Sequence, residues 1–254
     1  MRRASIGVGV VSLAGLLVAA PARTARGGDA PPAVESVKVA TARGVALEAT
    51  LHRPAKANGT AVVLAPGQTG GRDRPIVKRT AEGLAAAGFT VLRFDWAYFT
   101  AKGKPAEDLA PEVADLDAAV AHAKKLPGVS KVLLGGKSLG VMAIVERLAK
   151  TPDDAAALLL LTPPLLLGDT PWPGADRLAE TTVPVLLVAG DHDPLCPLPT
   201  LYAFAARCKA PPRVVVVPGD HGLAKAKGDE SETDDNVALC AAAAVLWARR
   251  LAAP

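Results

Sequence analysis

The 254-residue sequence predicts an α/β fold, a mostly parallel central sheet with helices on both faces, and three observations carry that expectation. Short, continuously apolar runs alternate with longer helical stretches, and such runs belong to strands buried on both faces. One of these runs, Val132 to Leu134, passes through Gly135-Gly136-Lys137-Ser138-Leu139-Gly140 into a helix that opens on apolar residues. Two later runs end in loops that carry an aspartate and a histidine, which places polar groups at strand ends where open α/β sheets build their sites.

In chain order, Met1-Arg2-Arg3 precedes an apolar stretch from Ile6 to Ala20 and the small-x-small triplet Ala20-Pro21-Ala22. The stretch is shorter than the roughly 20 residues a membrane-spanning helix needs, so residues 1–22 read as a secretory signal peptide. Residues 23–34 read as a flexible tether and 35–254 as one domain. Removing the two arginines of the signal lowers the formal charge from +4 to +2. No basic patch then argues for nucleic acid, and no stable membrane insertion is expected once the signal is gone. Half of the residues are apolar, enough for a large single core.

Ser36 to Ala40 and Val45 to Leu51 read as a hairpin around Arg43-Gly44, with His52 as a structural histidine at its end. The strand Ala61 to Ala65 leads into Pro66-Gly67-Gln68-Thr69-Gly70-Gly71 and a helix from about Asp73 to Ala87. Phe89 to Phe94 is a strand, and Glu112 to Leu126 a helix with carboxylates at its start and lysines at its end. Further strands are expected at Ala156 to Leu161, Val185 to Ala189 and Val214 to Val217, with helices near Pro199 to Ala206 and Asn236 to Leu251. The acidic run Asp229 to Asp235 reads as a solvated loop. Cys196 and Cys208 would lie about 18 Å apart on a helix, beyond the roughly 7 Å limit for bridging, so the three cysteines read as free thiols.

The chemistry converges on Gly136-x-Ser138-x-Gly140, the pattern of a nucleophile elbow. A tight strand-to-helix turn lifts the serine above the sheet, and glycines on either side let neighbouring backbone pass. Asp193 follows the strand ending at Gly190, and His221 follows the last strand, in the order Ser, Asp, His of α/β-hydrolases. In that arrangement the histidine takes the serine proton and the carboxylate orients the ring. Asp193 is preferred to Asp191 and Asp220 because it lies three residues beyond Gly190 and can reach across to the last strand. The backbone amides of Leu139 and Gln68 are the expected oxyanion hole. From Ser138 to Asp193 there are 55 residues, too few for a large lid. Trp96, Tyr98 and Trp172 are candidates to wall the substrate groove, core packing being the alternative. No metal-ligand cluster, dinucleotide fingerprint or phosphate loop appears, so no cofactor is expected.

The residues Ala65-Pro66-Gly67, Asp73-Arg74-Pro75, Val91 to Tyr98, Gly135 to Gly140, Gly190-x-x-Asp193-Pro194 and Gly219-Asp220-His221 resemble the dienelactone-hydrolase-like α/β-hydrolases, within them the testis-expressed-protein-like branch. The resemblance covers residues 60–250 and implies the fold, the triad and a small ester or acyl substrate. Ser138 stands where dienelactone hydrolases use cysteine, which argues against dienelactone as substrate. Pro66 replaces a histidine and Val141 a glycine of the pattern. A serine hydrolase is therefore expected, with a non-catalytic scaffold of the same fold as the alternative. The export signal makes its own prediction. Intact-mass analysis of protein from its native host should find the mature chain beginning near Arg23, and retention of Met1 would contradict cleavage.

Overall fold

The computed structural model describes residues 30–152, 154–224 and 230–252. The signal peptide and most of the tether lie outside these residues. In chain order the elements are β1 (Ala33–Ala40), β2 (Ala46–Arg53), β3 (Thr60–Ala65), α1 (Pro75–Ala86), β4 (Thr90–Phe94), α2 (Ala97–Thr100), α3 (Ala110–Lys124), β5 (Lys131–Lys137), α4 (Leu139–Leu148) and β6 (Leu158–Leu161). There follow β7 (Leu166–Leu167), β8 (Thr170–Pro171), α5 (Gly174–Ala179), β9 (Val185–Gly190), α6 (Leu198–Arg207), β10 (Arg213–Val217) and α7 (Glu230–Ala252).

Eight strands form one sheet in the order β1-β2-β4-β3-β5-β6-β9-β10. Strand β2 runs against both its neighbours, and every pair from β4 to β10 is parallel. This is the α/β-hydrolase fold. The parallel strands are mostly apolar because successive side chains feed two cores, Arg93 of β4 being the buried charged exception. In β5, Val132 and Leu134 face the side covered by α3, α4, α5 and α6, whereas Leu133 faces the side covered by α1 and α7. Strands β3, β6 and β9 alternate in the same way. Pro75 opens α1, where its missing N–H costs nothing.

Two boundaries differ from the sequence reading. Strand β1 starts at Ala33, inside the expected tether, because pairing reaches Ala33 opposite Arg53 at the far end of the hairpin. The described part of the acidic run is not a loop: α7 begins at Glu230 and takes in Asp234 and Asp235. The connection from β6 to β9 holds the β7–β8 hairpin and the six-residue α5. Among the described residues, no lid domain covers the sheet. Among the described residues, no helix is long and apolar enough to cross a membrane. The cysteines are free, Cys196 and Cys240 buried and Cys208 half-buried.

Candidate active site

Strand β5 occupies the middle of the sheet and ends where the chain must turn at once into α4. Ser138 makes that turn with φ 51° and ψ −111°. A non-glycine residue rarely adopts this region, which costs on the order of 1–3 kcal/mol unless the surroundings enforce it. The enforcement is visible. A Cβ on Gly136 would lie 2.6 Å from the carbonyl carbon of Gly140, and one on Gly140 would collide with the carbonyl oxygen of Ala65 at the end of β3. Only glycines let helix α4 pack this closely onto its own strand and the next. The Ser138 amide donates to Leu161 O of β6, and Val141 N closes the first turn on Ser138 O.

His221 lies in the loop after β10. Its Nε2 is 2.8 Å from Ser138 Oγ. Its Nδ1 is 2.9 and 3.1 Å from the two carboxylate oxygens of Asp193. A carboxylate can only accept, so with Asp193 as its partner Nδ1 carries the proton and Nε2 is left to accept from the serine hydroxyl. A second donor, the Leu195 amide, binds Asp193 Oδ1 at 2.9 Å and fixes the carboxylate. The other two candidate acids are engaged elsewhere. Asp191 Oδ1 accepts from Gly219 N and contacts His192, tying the β9 loop to the β10 loop. Asp220 caps its own turn through Gly222 N and Ala224 N.

The Leu139 amide opens α4, and the Gln68 amide lies in the loop after β3. Neither has an acceptor among the described residues, which leaves both available to a developing oxyanion. That loop is held from β4 and the residues just beyond it. Trp96 Nε1 donates to Pro66 O at 3.0 Å, Tyr98 OH donates to Gln68 O at 2.9 Å, and Arg93 Nη1 donates to Arg72 O at 2.8 Å. Asp95 accepts from the Arg72 amide at 2.6 Å and pairs with its guanidinium, while Arg93 also pairs with Asp73.

This arrangement corrects two of the expected groove residues. Trp96 has no exposed surface and packs edge-on against Phe94 at 4.8 Å between ring centroids. Trp172 is buried in the same core, beneath α5. Both indoles fill space between the sheet and its helices, so neither walls a groove. Tyr98 lines an open cavity of 690 Å³ together with Gln68, Arg72, Asp95 and Phe99, beside the loop but apart from Ser138 and His221.

Two further groups bear on the site. His52 is the structural histidine the sequence indicated: it accepts at Nε2 from Arg93 Nε at 2.9 Å and so braces the cation that holds the loop. Burial, with Arg93 and Lys78 adding to it, lowers its pKa to about 4. The other is Lys137, directly before Ser138. Its pKa is pushed down to about 8, chiefly by burial and further by Arg74, against the opposing pull of Asp193 and Asp220. Arg93 within an apolar strand is a visible signal in the sequence; Lys137 is an unassigned position of the elbow pattern, and no local signal marks it.

Residues 58–249 match the model of the alpha/beta hydrolase domain family, and the chain belongs to that family. It is 31% identical over 181 residues to the uncharacterized protein Rv2307c of Mycobacterium tuberculosis, a match spanning 64% of this chain and 62% of that protein. Three solved structures share the fold. An alpha-beta serine hydrolase homologue from Coxiella burnetii has a TM-score of 0.67 at 21% identity, covering 82% of this chain and 96% of that one. Est1E from Butyrivibrio proteoclasticus has a TM-score of 0.66 at 21% identity, over 85% and 98%. XC6422 from Xanthomonas campestris, a serine hydrolase without a lid, has a TM-score of 0.66 at 19% identity, over 88% and 97%.

The buried histidine sets an acid limit on this site. His52 is nearly inaccessible, and its folded pKa of about 4 lies below the ordinary value of 6.5. Stability is complete above that ordinary value and drains away as pH falls toward 4, because only the unfolded chain takes up the proton. The loss reaches at most about 3 kcal/mol. Urea unfolding across that range should show the decline, and His52→Gln, which keeps an acceptor for Arg93, should flatten it.

Proposed function

We propose that the protein is an exported serine hydrolase that cleaves carboxylic esters through an acyl-enzyme at Ser138, in the dienelactone-hydrolase-like group and its testis-expressed-protein-like branch. One observation carries the chemistry: the hydrogen-bonded line from Asp193 through His221 to Ser138 Oγ ends on a serine held at positive φ. Esterases among the proteins of similar fold support an ester as substrate. The signal-like N-terminus supports export.

In the proposed reaction His221 Nε2 accepts the Ser138 proton as Oγ attacks the ester carbonyl. The tetrahedral oxyanion is held by the Leu139 and Gln68 amides, each worth about 3 kcal/mol in such transition states. Asp193 keeps Nδ1–H in place and stabilises the imidazolium, which returns its proton to the departing alkoxide. Water then attacks the acyl-enzyme with the same histidine as base, releasing the carboxylic acid.

A fluorophosphonate probe should label the folded protein at Ser138. Unlabelled, folded protein would favour a scaffold that merely keeps the fold. Asp193→Asn should leave the melting temperature nearly unchanged and lower kcat by about 10⁴, since an amide can stabilise the wrong imidazole tautomer. Asp191→Asn should be much milder on turnover, and the reverse order of damage would reassign the acid.

A further inference from the structure

Two cations lie against the glycines of the loop after β3. A Cβ on Gly67 would lie 2.9 Å from Lys137 Cδ and 3.7 Å from Lys137 Nζ. A Cβ on Gly70 would lie 2.6 Å from Arg74 Cδ and 3.3 Å from its Nε. The glycines thus let both stems lie flat on the backbone that leads into and out of Gln68, and the ammonium is set between the oxyanion loop and the acid and histidine loops. Arg74 is close enough for its charge to oppose that of Lys137.

Other cations of this region are paired: Arg72 with Asp95, and Arg93 with Asp73. Among the described residues, neither Lys137 nor Arg74 has an ion pair or a side-chain hydrogen bond. The carboxylates whose charge acts on Lys137 are already committed, Asp193 to His221 and the Leu195 amide, Asp220 to Gly222 and Ala224. A half-buried ammonium without a counter-ion is held at a cost. That cost is recovered when an anion arrives, and the residue after Lys137 is the nucleophile.

We propose that Lys137, seconded by Arg74, binds a carboxylate on the substrate, so that the protein selects esters carrying a negative charge near the scissile bond over neutral esters of the same size. This inference rests on the ester-hydrolase reading above. Lys137 is a specificity residue here: the reaction at Ser138 proceeds as described, and the ammonium decides which ester is held in place for it.

The test compares kcat/KM within matched pairs. For charge on the acyl side the pair is the mono-para-nitrophenyl ester of glutaric acid against para-nitrophenyl pentanoate; for charge on the alcohol side it is para-acetoxybenzoate against para-tolyl acetate. In at least one pair the charged ester should lead by about tenfold, the value of one charge-assisted contact. Lys137→Met should bring that ratio toward one, Lys137→Arg should restore most of it, and Arg74→Gln should lower it less. Because the readout is a ratio within each variant, general damage to turnover cancels.

The unmodified protein supplies an independent measurement should Lys137→Met not fold. Lys137 is charged below about pH 8, so the preference should be present at neutral pH and fade as pH rises through that value, Arg74, Asp193 and Asp220 being the charged groups that face it. A ratio near one in both pairs, a ratio indifferent to Lys137→Met, or a ratio flat across that pH range overturns the inference. Turnover of neutral esters without charge preference sinks this inference alone, whereas no turnover and no fluorophosphonate labelling sinks the hydrolase reading and this one with it.

Discussion

The close passage of Gly140 over Ala65 is the contact on which the rest of the site depends. It brings α4 down onto the sheet and forces Ser138 into a backbone conformation that an isolated turn would abandon. The force comes from burial. Val141, Ala143, Ile144 and Val145 are removed from water on the first turns of α4, each large side chain contributing about 1.5–3 kcal/mol. An apolar helix face therefore stabilises the strained turn, and the turn in exchange projects a hydroxyl above the carboxyl ends of the strands.

The other half of the site is built by β4, a strand that contributes none of Ser138, Asp193 or His221. Its end and the residues just beyond it supply the donors and acceptors that a glycine-rich loop cannot supply for itself: Arg93, Asp95, Trp96 and Tyr98. A loop of this kind, left to solvent, would sample many conformations and present Gln68 in few of the right ones. Tying its carbonyls to an indole, a phenol and a guanidinium narrows that choice before any ligand arrives, which is how an electrostatic site avoids reorganising during reaction. The neutral His52 beneath Arg93 belongs to the same construction, since a protonated ring there would oppose the guanidinium it supports.

Charge around Ser138 is distributed unevenly in consequence. Aspartates near the histidine are spent on backbone amides and on the imidazole, and the loop arginine nearest β4 is neutralised by Asp95. Lys137 and Arg74 are the cations left over on the described surface of that loop. Lys137 ends β5 beside Gly67 of that loop, and Arg74 lies beside Gly70 where the loop enters α1.

Much of this was legible from the chain alone, for a local reason. Strands buried on both faces need continuous apolar runs, elbows need glycines at fixed spacing, and helices advertise their ends, so the sheet, the elbow and the order of Ser138, Asp193 and His221 could be read without coordinates. What the sequence left open involves partners distant along the chain. Whether an indole faces a groove or the core depends on what packs over it: Trp96 lies under the β3 loop and Trp172 under α5, and no spacing rule reports that. The same holds for His52 meeting Arg93 from the antiparallel β2, 41 residues away, and for Lys137 lying on Gly67. Local patterning determined the elements and the elbow, because hydrophobic period and backbone sterics act over a few residues; only the tertiary structure decided which polar groups meet, because burial and charge pairing are properties of neighbours in space.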